Sequence, residues 1–192
     1  LKSTPNKEVV LQTIDIWNKA LAAAGVKIAR ERAEFVQRIA PFADMANKYI
    51  SNGETLRVEY NGVNVENEEQ YISKLEKSFE KDFKLGYTTF GVHRDDIDIY
   101  LNDVEVKNFG SQGQQRTAAL ALKLAELEII KQATGEYPVL ILDDVFSELD
   151  SGRRARLLKF TSRCQTFITT TDEDFCEGKI IKINDGKLEN KR

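Results

Sequence analysis

The chain has 192 residues, 41% of them hydrophobic, enough to bury the core of one or two modest domains. Its formal net charge of −3 gives no compositional support for nucleic-acid binding, since a free-standing DNA-binding module is usually basic. No apolar run approaches the length of a membrane span, no secretory signal opens the chain, and the single histidine, His93, argues against a His-rich metal site.

Val9, Val10, Ile14, Trp17 and Leu21 recur at helical spacing over residues 6–24, and Gly25 stands where it would end that helix. A second helical pattern covers residues 28–50, with Phe35, Ile39, Phe42 and Met45 on its apolar stripe. Pro41 should kink or divide it, and Asn52-Gly53 follows as a turn. The two helices read as a packed antiparallel pair with these large residues as core. Residues 55–60 have strand character before an Asn61-Gly62 turn. Residues 67–83 are then helical, with Tyr71, Leu75, Phe79 and Phe83 four apart.

From Gly86 the pattern turns to short strands. Residues 87–92 and 97–101 are candidates, with Asn102-Asp103 as a hairpin turn and 104–109 as the return strand. Between the first two lies His93-Arg94-Asp95-Asp96. It reads as a loop whose Arg and Asp pair locally, the alternative being a nucleotide or interface contact.

Residues 111–150 carry the strongest chemical signal. Ser111-Gln112-Gly113-Gln114-Gln115 combines a small hydroxyl, a glycine and free backbone amides where a helix begins, which suits an anion and a phosphate above all. Taken alone, Ser-x-Gly is also an ordinary helix cap and turn. Residues 117–131 follow as a helix apolar on several sides and largely buried. Gly135 and Pro138 bracket the entry to an apolar run over residues 139–142 that ends in Asp143-Asp144. That run reads as a strand buried on both faces, delivering two acids to its carboxyl edge. An Asp-Asp pair after a strand is also an ordinary turn and cap. Residues 153–160 form a short basic helix, 166–169 a further buried strand, and 179–183 with Asp185-Gly186 a closing hairpin. Cys164 and Cys176 lack metal spacing and read as reduced thiols of a cytoplasmic protein. No Gly-x-x-x-x-Gly-Lys-Ser/Thr loop occurs anywhere, and the chain begins at Leu1. It therefore reads as the carboxyl-terminal part of a longer protein, inactive alone because the phosphate-cradling Walker A loop is missing.

Ser111 to Gln115 resembles the signature motif of ABC-type ATPases, residues 140–144 their Walker B strand, and Ser147-Glu148-Leu149-Asp150 their D-loop. The wording FGSQGQQRTAALALKLAE followed by PVLILDDVFSELD resembles the RecF family of bacterial recombination mediators, relatives of SMC-type proteins. DIWNKALAAAG (15–25) and HRDD (93–96) resemble that family too. The resemblance implies an α/β fold, the carboxyl-terminal part of an ABC-type ATPase head with a mostly parallel sheet flanked by helices. It assigns residues 1–85 to a mostly helical arm and 86–192 to the ATPase lobe.

The resemblance also implies ATP and Mg²⁺ as cofactors. Asp143 takes the Mg²⁺-supporting position. Asp144 takes the place of the usual catalytic glutamate, one methylene shorter, which implies slow turnover. Ser111, Gln112, Gly113, Gln114 and Gln115 take the signature positions, with Gln112 where the common form has glycine. Asp150 takes the D-loop aspartate. Thr171 stands at the switch-histidine position, where a threonine can sense a phosphate but is no proton acceptor near neutral pH. The implied function is DNA replication, repair and recombination in the SOS response. The intact protein would be a weak DNA-dependent ATPase that forms an ATP-dependent homodimer. It would bind single- and double-stranded DNA at gaps and junctions and help load recombinase, with RecR and RecO as partners and no membrane. The readings set beside it are a non-catalytic SMC-like structural head, against which Asp143-Asp144 argues, and the nucleotide-binding subunit of an ABC transporter.

Overall fold

The computed structural model describes residues 7–171, 178–184 and 186–188; Cys176 and Asp185 lie outside them. The chain separates into two compact units, Leu1–Pro41 with Arg57–Phe109, and Phe42–Leu56 with Gly110–Arg192. Helix α1 (Lys7–Ser51) contributes to both.

α1 is one continuous helix, so the antiparallel pair expected on either side of Gly25 does not form. Gly25 is a point of close approach and not a terminator. A Cβ built there would lie 2.4 Å from the ring of Tyr71, so only glycine lets that ring seat on the helix. Ala22 and Ala29, one turn either side, are buried for the same reason and share a cluster with Val63, Tyr71 and Leu75. Pro41 removes one helical hydrogen bond, yet the helix runs on, because Ile39 before it and Ala43 and Ala46 after it are buried. Of the large residues expected as core, Ile39 is buried but most are not. Trp17 is 66% exposed, and Leu21, Ile28, Phe35 and Met45 are exposed as well. Around Gly25 the buried face of α1 is a small-residue face, matched to the close approach of Tyr71, whereas further along it buries Val36, Ile39 and Ile50.

In the first unit, α2 (Glu68–Leu85) is capped by the Asn67 side chain, which accepts from the Gln70 N–H at 2.9 Å, and closes on left-handed Gly86. β1 (Leu56–Asn61), β2 (Asp96–Leu101) and β3 (Val104–Glu105) form a sheet in that order. β2 and β3 pair antiparallel, Leu101 opposite Val104, through the expected Asn102-Asp103 turn. Both turn residues have positive φ, as a tight hairpin requires. The return strand is short. After Glu105 the chain coils into one helical turn, α3 (Val106–Phe109).

Residues 87–92 do not form the expected strand. Thr89 gives its N–H (3.0 Å) and hydroxyl (2.6 Å) to Asp82, and Phe90 docks edge-on against Tyr71 at 4.9 Å, so these side chains are committed to α2. Nor do the Arg and Asp of His93-Arg94-Asp95-Asp96 pair with each other. The Asp95 side chain is 3% exposed and accepts from Arg32 (2.8 Å), the Tyr60 hydroxyl (2.5 Å) and the Val63 N–H (3.0 Å). Arg94 stacks over Tyr87, and Asp96 pairs with Lys107 at 2.8 Å.

In the second unit, α4 (Gln112–Thr134) buries Thr117, Ala118, Ala121, Leu124, Ala125 and Leu127 along one face, while Ala119 and Ile130 stay exposed. β4 (Leu140–Asp143) pairs in parallel with β5 (Thr166–Thr169), and α5 (Ser151–Thr161) lies between them in sequence as the crossover. Leu140 and Leu142 are buried as expected, but the strand is not enclosed on both faces. Ile141 is 70% exposed, and Phe167 of β5 is exposed beside it in register. No described element covers that face. β6 (Ile183–Asn184) and β7 (Lys187–Leu188) form the closing hairpin, which begins at residue 183 and not 179.

Candidate functional site

The residues singled out by sequence fall into two clusters, both within the second unit. The first is the start of α4. Ser111 has extended backbone and caps the helix. Its Oγ accepts from the Gln114 N–H at 3.3 Å, and Gln114 Oε1 accepts from the Ser111 N–H at 3.0 Å, a reciprocal capping box. The helix-cap reading of Ser-x-Gly is therefore correct as far as it goes. It leaves the amides of Gln112 and Gly113 in the first turn, where α4 itself offers no carbonyl to accept them. They point out of the helix start together with its dipole, the arrangement that favours an anion. Ser111, Gln112 and Gln115 are exposed.

Arg153, near the start of α5, ties this cluster to the residues after β4. A Cβ built at Gly113 would lie 3.4 Å from its Nη1, and the same nitrogen lies 3.3 Å from Asp150 Oδ2. Asp150 is the N-cap of α5, accepting from the Arg153 N–H at 2.9 Å. That hydrogen bond, set against slight burial and aided by the Arg153 charge, holds the Asp150 carboxyl below its ordinary range. Glu54, just past the end of α1, accepts from Gln114 Nε2 at 2.8 Å and lies 3.7 Å from Arg153 Nη2. Glu54 and Arg153 are absent from the sequence-based set of site residues. A capping box is a local pattern, but a carboxylate sixty residues upstream of its partner has no local signature.

The second cluster is the carboxyl edge of β4. Register sets Asp143 opposite Thr169. The Thr169 hydroxyl donates to Asp143 Oδ1, and the Asp144 N–H reaches both the carbonyl (3.2 Å) and the Oγ1 (3.1 Å) of Thr169. Asp144 is left-handed, φ 50° and ψ 26°, which turns the chain out of the strand into a 3₁₀ turn over Val145–Glu148. Ser147 donates to the Asp144 carbonyl (2.8 Å) and to its Oδ2 (3.1 Å). Phe146 is buried beneath and anchors the turn, and Glu148 pairs with Arg116 of α4 at 3.4 Å. Both acids are exposed. An exposed carboxylate steadied by one hydroxyl fits a hard cation that keeps most of its own water, as Mg²⁺ does. Among the described residues no group of three or more potential metal ligands gathers, so any Mg²⁺ here would depend on water and on a phosphate for its remaining ligands. Thr169 was missed by sequence reasoning, which chose Thr171. Thr171 is exposed two residues beyond the strand. Only the parallel register of β4 and β5 reveals Thr169.

The chain is similar to curated proteins and to solved structures. RecF of Ruminiclostridium cellulolyticum, a DNA replication and repair protein, is 40% identical over 96% of this chain and 52% of its own length. RecF of Alkaliphilus oremlandii is 44% identical over 89% of this chain and 48% of its own length. This chain belongs to the RecF family. It spans about half the length of the curated RecF proteins it matches. A solved structure of the recombination mediator RecF with ATP, from the RecFOR pathway, superposes with a TM-score of 0.78 at 38% identity, over 93% of this chain and 50% of that one. An SMC ATPase structure from a study of ATP-driven dimerisation matches at a TM-score of 0.52 and 14% identity, a likeness of fold alone. No family model matches the chain. The α/β fold and the RecF resemblance read from the sequence agree with these matches. Among the described residues no helix is long and apolar enough to cross a membrane.

Proposed function

We propose that the full-length protein is a DNA replication and repair ATPase of the RecF type. Two heads associate around ATP, and that association controls binding to single- and double-stranded DNA at gaps and junctions. It helps load recombinase with RecO and RecR as partners. Residues 1–85 serve as the arm and 86–192 as the carboxyl-terminal lobe of the head, although residues 42–56 pack in the unit that holds the site and residues 86–109 in the other. The observation that carries this reading is the presence, in one unit, of a capped helix start bearing Ser111, Gly113 and Gln114 and of an exposed acid pair at the carboxyl edge of β4.

In this reading the Ser111 hydroxyl and the first-turn amides meet the terminal phosphate of a nucleotide bound by the second subunit. Gln112, Gln114, Gln115 and Asp150 line that interface, and Thr171 contacts phosphate. Asp143, oriented by Thr169, supports Mg²⁺, which when bound would offset charge on the phosphates. Asp144 orients the attacking water with the oxygen that Ser147 does not hold. Its short reach fits slow turnover in a switch.

Because Ser111 is also a cap, the deciding variant must keep the cap. Ser111→Asp does so, since aspartate caps as well as serine, but it sets a negative charge against the incoming phosphate. Stability should hold within about 0.5 kcal/mol. Nucleotide binding to the subunit's own Walker A loop should survive. ATP-dependent dimerisation, read by analytical ultracentrifugation of the full-length protein, should be lost. A variant that dimerises with ATP like the wild type would refute the signature-motif role.

A further inference from the structure

Glu54 comes from the short segment between α1 and β1, and its backbone is fixed on both sides. Its N–H donates to Ser51 Oγ at 3.0 Å, its carbonyl accepts from Asn47 Nδ2 at 2.8 Å, and Asn47 is fully buried. Two residues on, the Leu56 N–H donates to Asp44 Oδ1 at 2.9 Å. The side chain is thus aimed and not free to wander. One oxygen accepts from Gln114 Nε2. The other is buried, 3.7 Å from the Arg153 guanidinium and without a hydrogen-bond partner among the described residues. A half-satisfied carboxylate held against a glutamine and an arginine beside a helix start is an anion occupying an anion's donors.

We propose that Glu54 is a resting-state placeholder for the terminal phosphate. It engages Gln114 and Arg153 until the nucleotide on the opposite subunit displaces it. The charge on Glu54 thereby sets how much ATP is needed before two heads associate. This rests on the signature-motif reading of Ser111 to Gln115. The isosteric Glu54→Gln keeps the backbone contacts and can still accept from Gln114, but it removes the charge that competes with phosphate. Charge-assisted hydrogen bonds are about twice as strong as neutral ones, so Gln114 and Arg153 should become easier to recruit.

The experiment titrates ATP into the full-length protein and reads association by analytical ultracentrifugation, with calorimetry of nucleotide binding alongside. For Glu54→Gln the ATP concentration at half-maximal association should fall about fivefold, while affinity for the subunit's own nucleotide stays unchanged. A purely structural Glu54 would not move the first quantity alone. Glu54→Asp keeps the charge but withdraws it by one methylene, so it should shift the midpoint in the same direction by less. It carries the test if the glutamine variant fails to fold. A midpoint unchanged or raised in whichever variant folds overturns the proposal. A wild type that does not associate with ATP overturns the signature-motif reading as well, and that result is visible before any variant is made.

Discussion

Two adjacent acid pairs, Asp95-Asp96 and Asp143-Asp144, sit in the two units of this chain at the mouths of strands, and their fates differ. Asp95 is enclosed. Three donors converge on it, Arg32 from α1 and Tyr60 and Val63 from the end of β1 and the turn after it, and its charge is answered by Arg32. Burial first, and then the hydrogen bond to Asp95, push the Tyr60 hydroxyl to a higher pKa, so it remains a donor. Asp143 and Asp144 each receive one hydroxyl, from Thr169 and Ser147, and otherwise face solvent. Asp95 spends its acceptor capacity on folding, while its neighbour Asp96 stays exposed in a surface pair with Lys107. The second pair keeps most of its own available. Adjacent acids in a sequence thus say little until the number of donors already committed to them is known.

The largest effect should come from Asp95→Asn. An amide cannot satisfy three donors as a carboxylate does, and it leaves Arg32 without its countercharge. Chemical unfolding should show a loss of about 2–4 kcal/mol. A loss under about 1 kcal/mol would erase the distinction between the two pairs.

A smaller effect, and one sharper in pH, concerns Asp82, another carboxylate of the first unit. Partial burial disfavours its charge, but the hydroxyls of Thr89 and Ser78 and the Thr89 N–H outweigh that and hold its carboxyl below the ordinary range. A folded-state value below the unfolded one means that the unfolded chain binds the proton more readily. The stability Asp82 contributes is therefore present above the unfolded value, about pH 3.9, and is lost as pH falls through the folded one. The stability gap between wild type and Asp82→Asn should be constant near neutrality and close below about pH 4. A gap that does not narrow in acid would mean the carboxylate's charge is not what anchors residues 88–90.

The smallest change in stability belongs to Asp144→Asn. It should stay within about 0.5 kcal/mol of wild type, while ATP turnover by the full-length protein falls to background. Destabilisation comparable to that of Asp95→Asn would show that the second pair is structural too.

What the sequence disclosed follows the reach of each interaction. The helix cap at Ser111, the Asn102-Asp103 turn and the burial of Leu140 and Leu142 depend on neighbours within a few residues, and they were legible. Gly25 was misread because its reason for being glycine is Tyr71, 46 positions away. Thr88 and Thr89 looked like strand residues because β-branching favours strands, whereas Thr89 serves as a donor to Asp82. Ile141 looked enclosed because an apolar run does not disclose which of its faces is covered. At the site, Glu54, Arg153 and Thr169 escaped notice because each acts through a partner brought close only by folding.

Asp144 holds a left-handed backbone, φ 50°, at the point where the chain leaves β4. Aspartate and asparagine enter that region several-fold more readily than most side chains, since their short polar groups can bond locally. A glutamate here would gain reach but lose that local compensation, against a steric penalty of about 1–2 kcal/mol. The length of the acid and the sharpness of the turn are therefore not independent characters. A longer acid would meet that cost or need a reshaped turn, so the bend favours the short acid that sits on it.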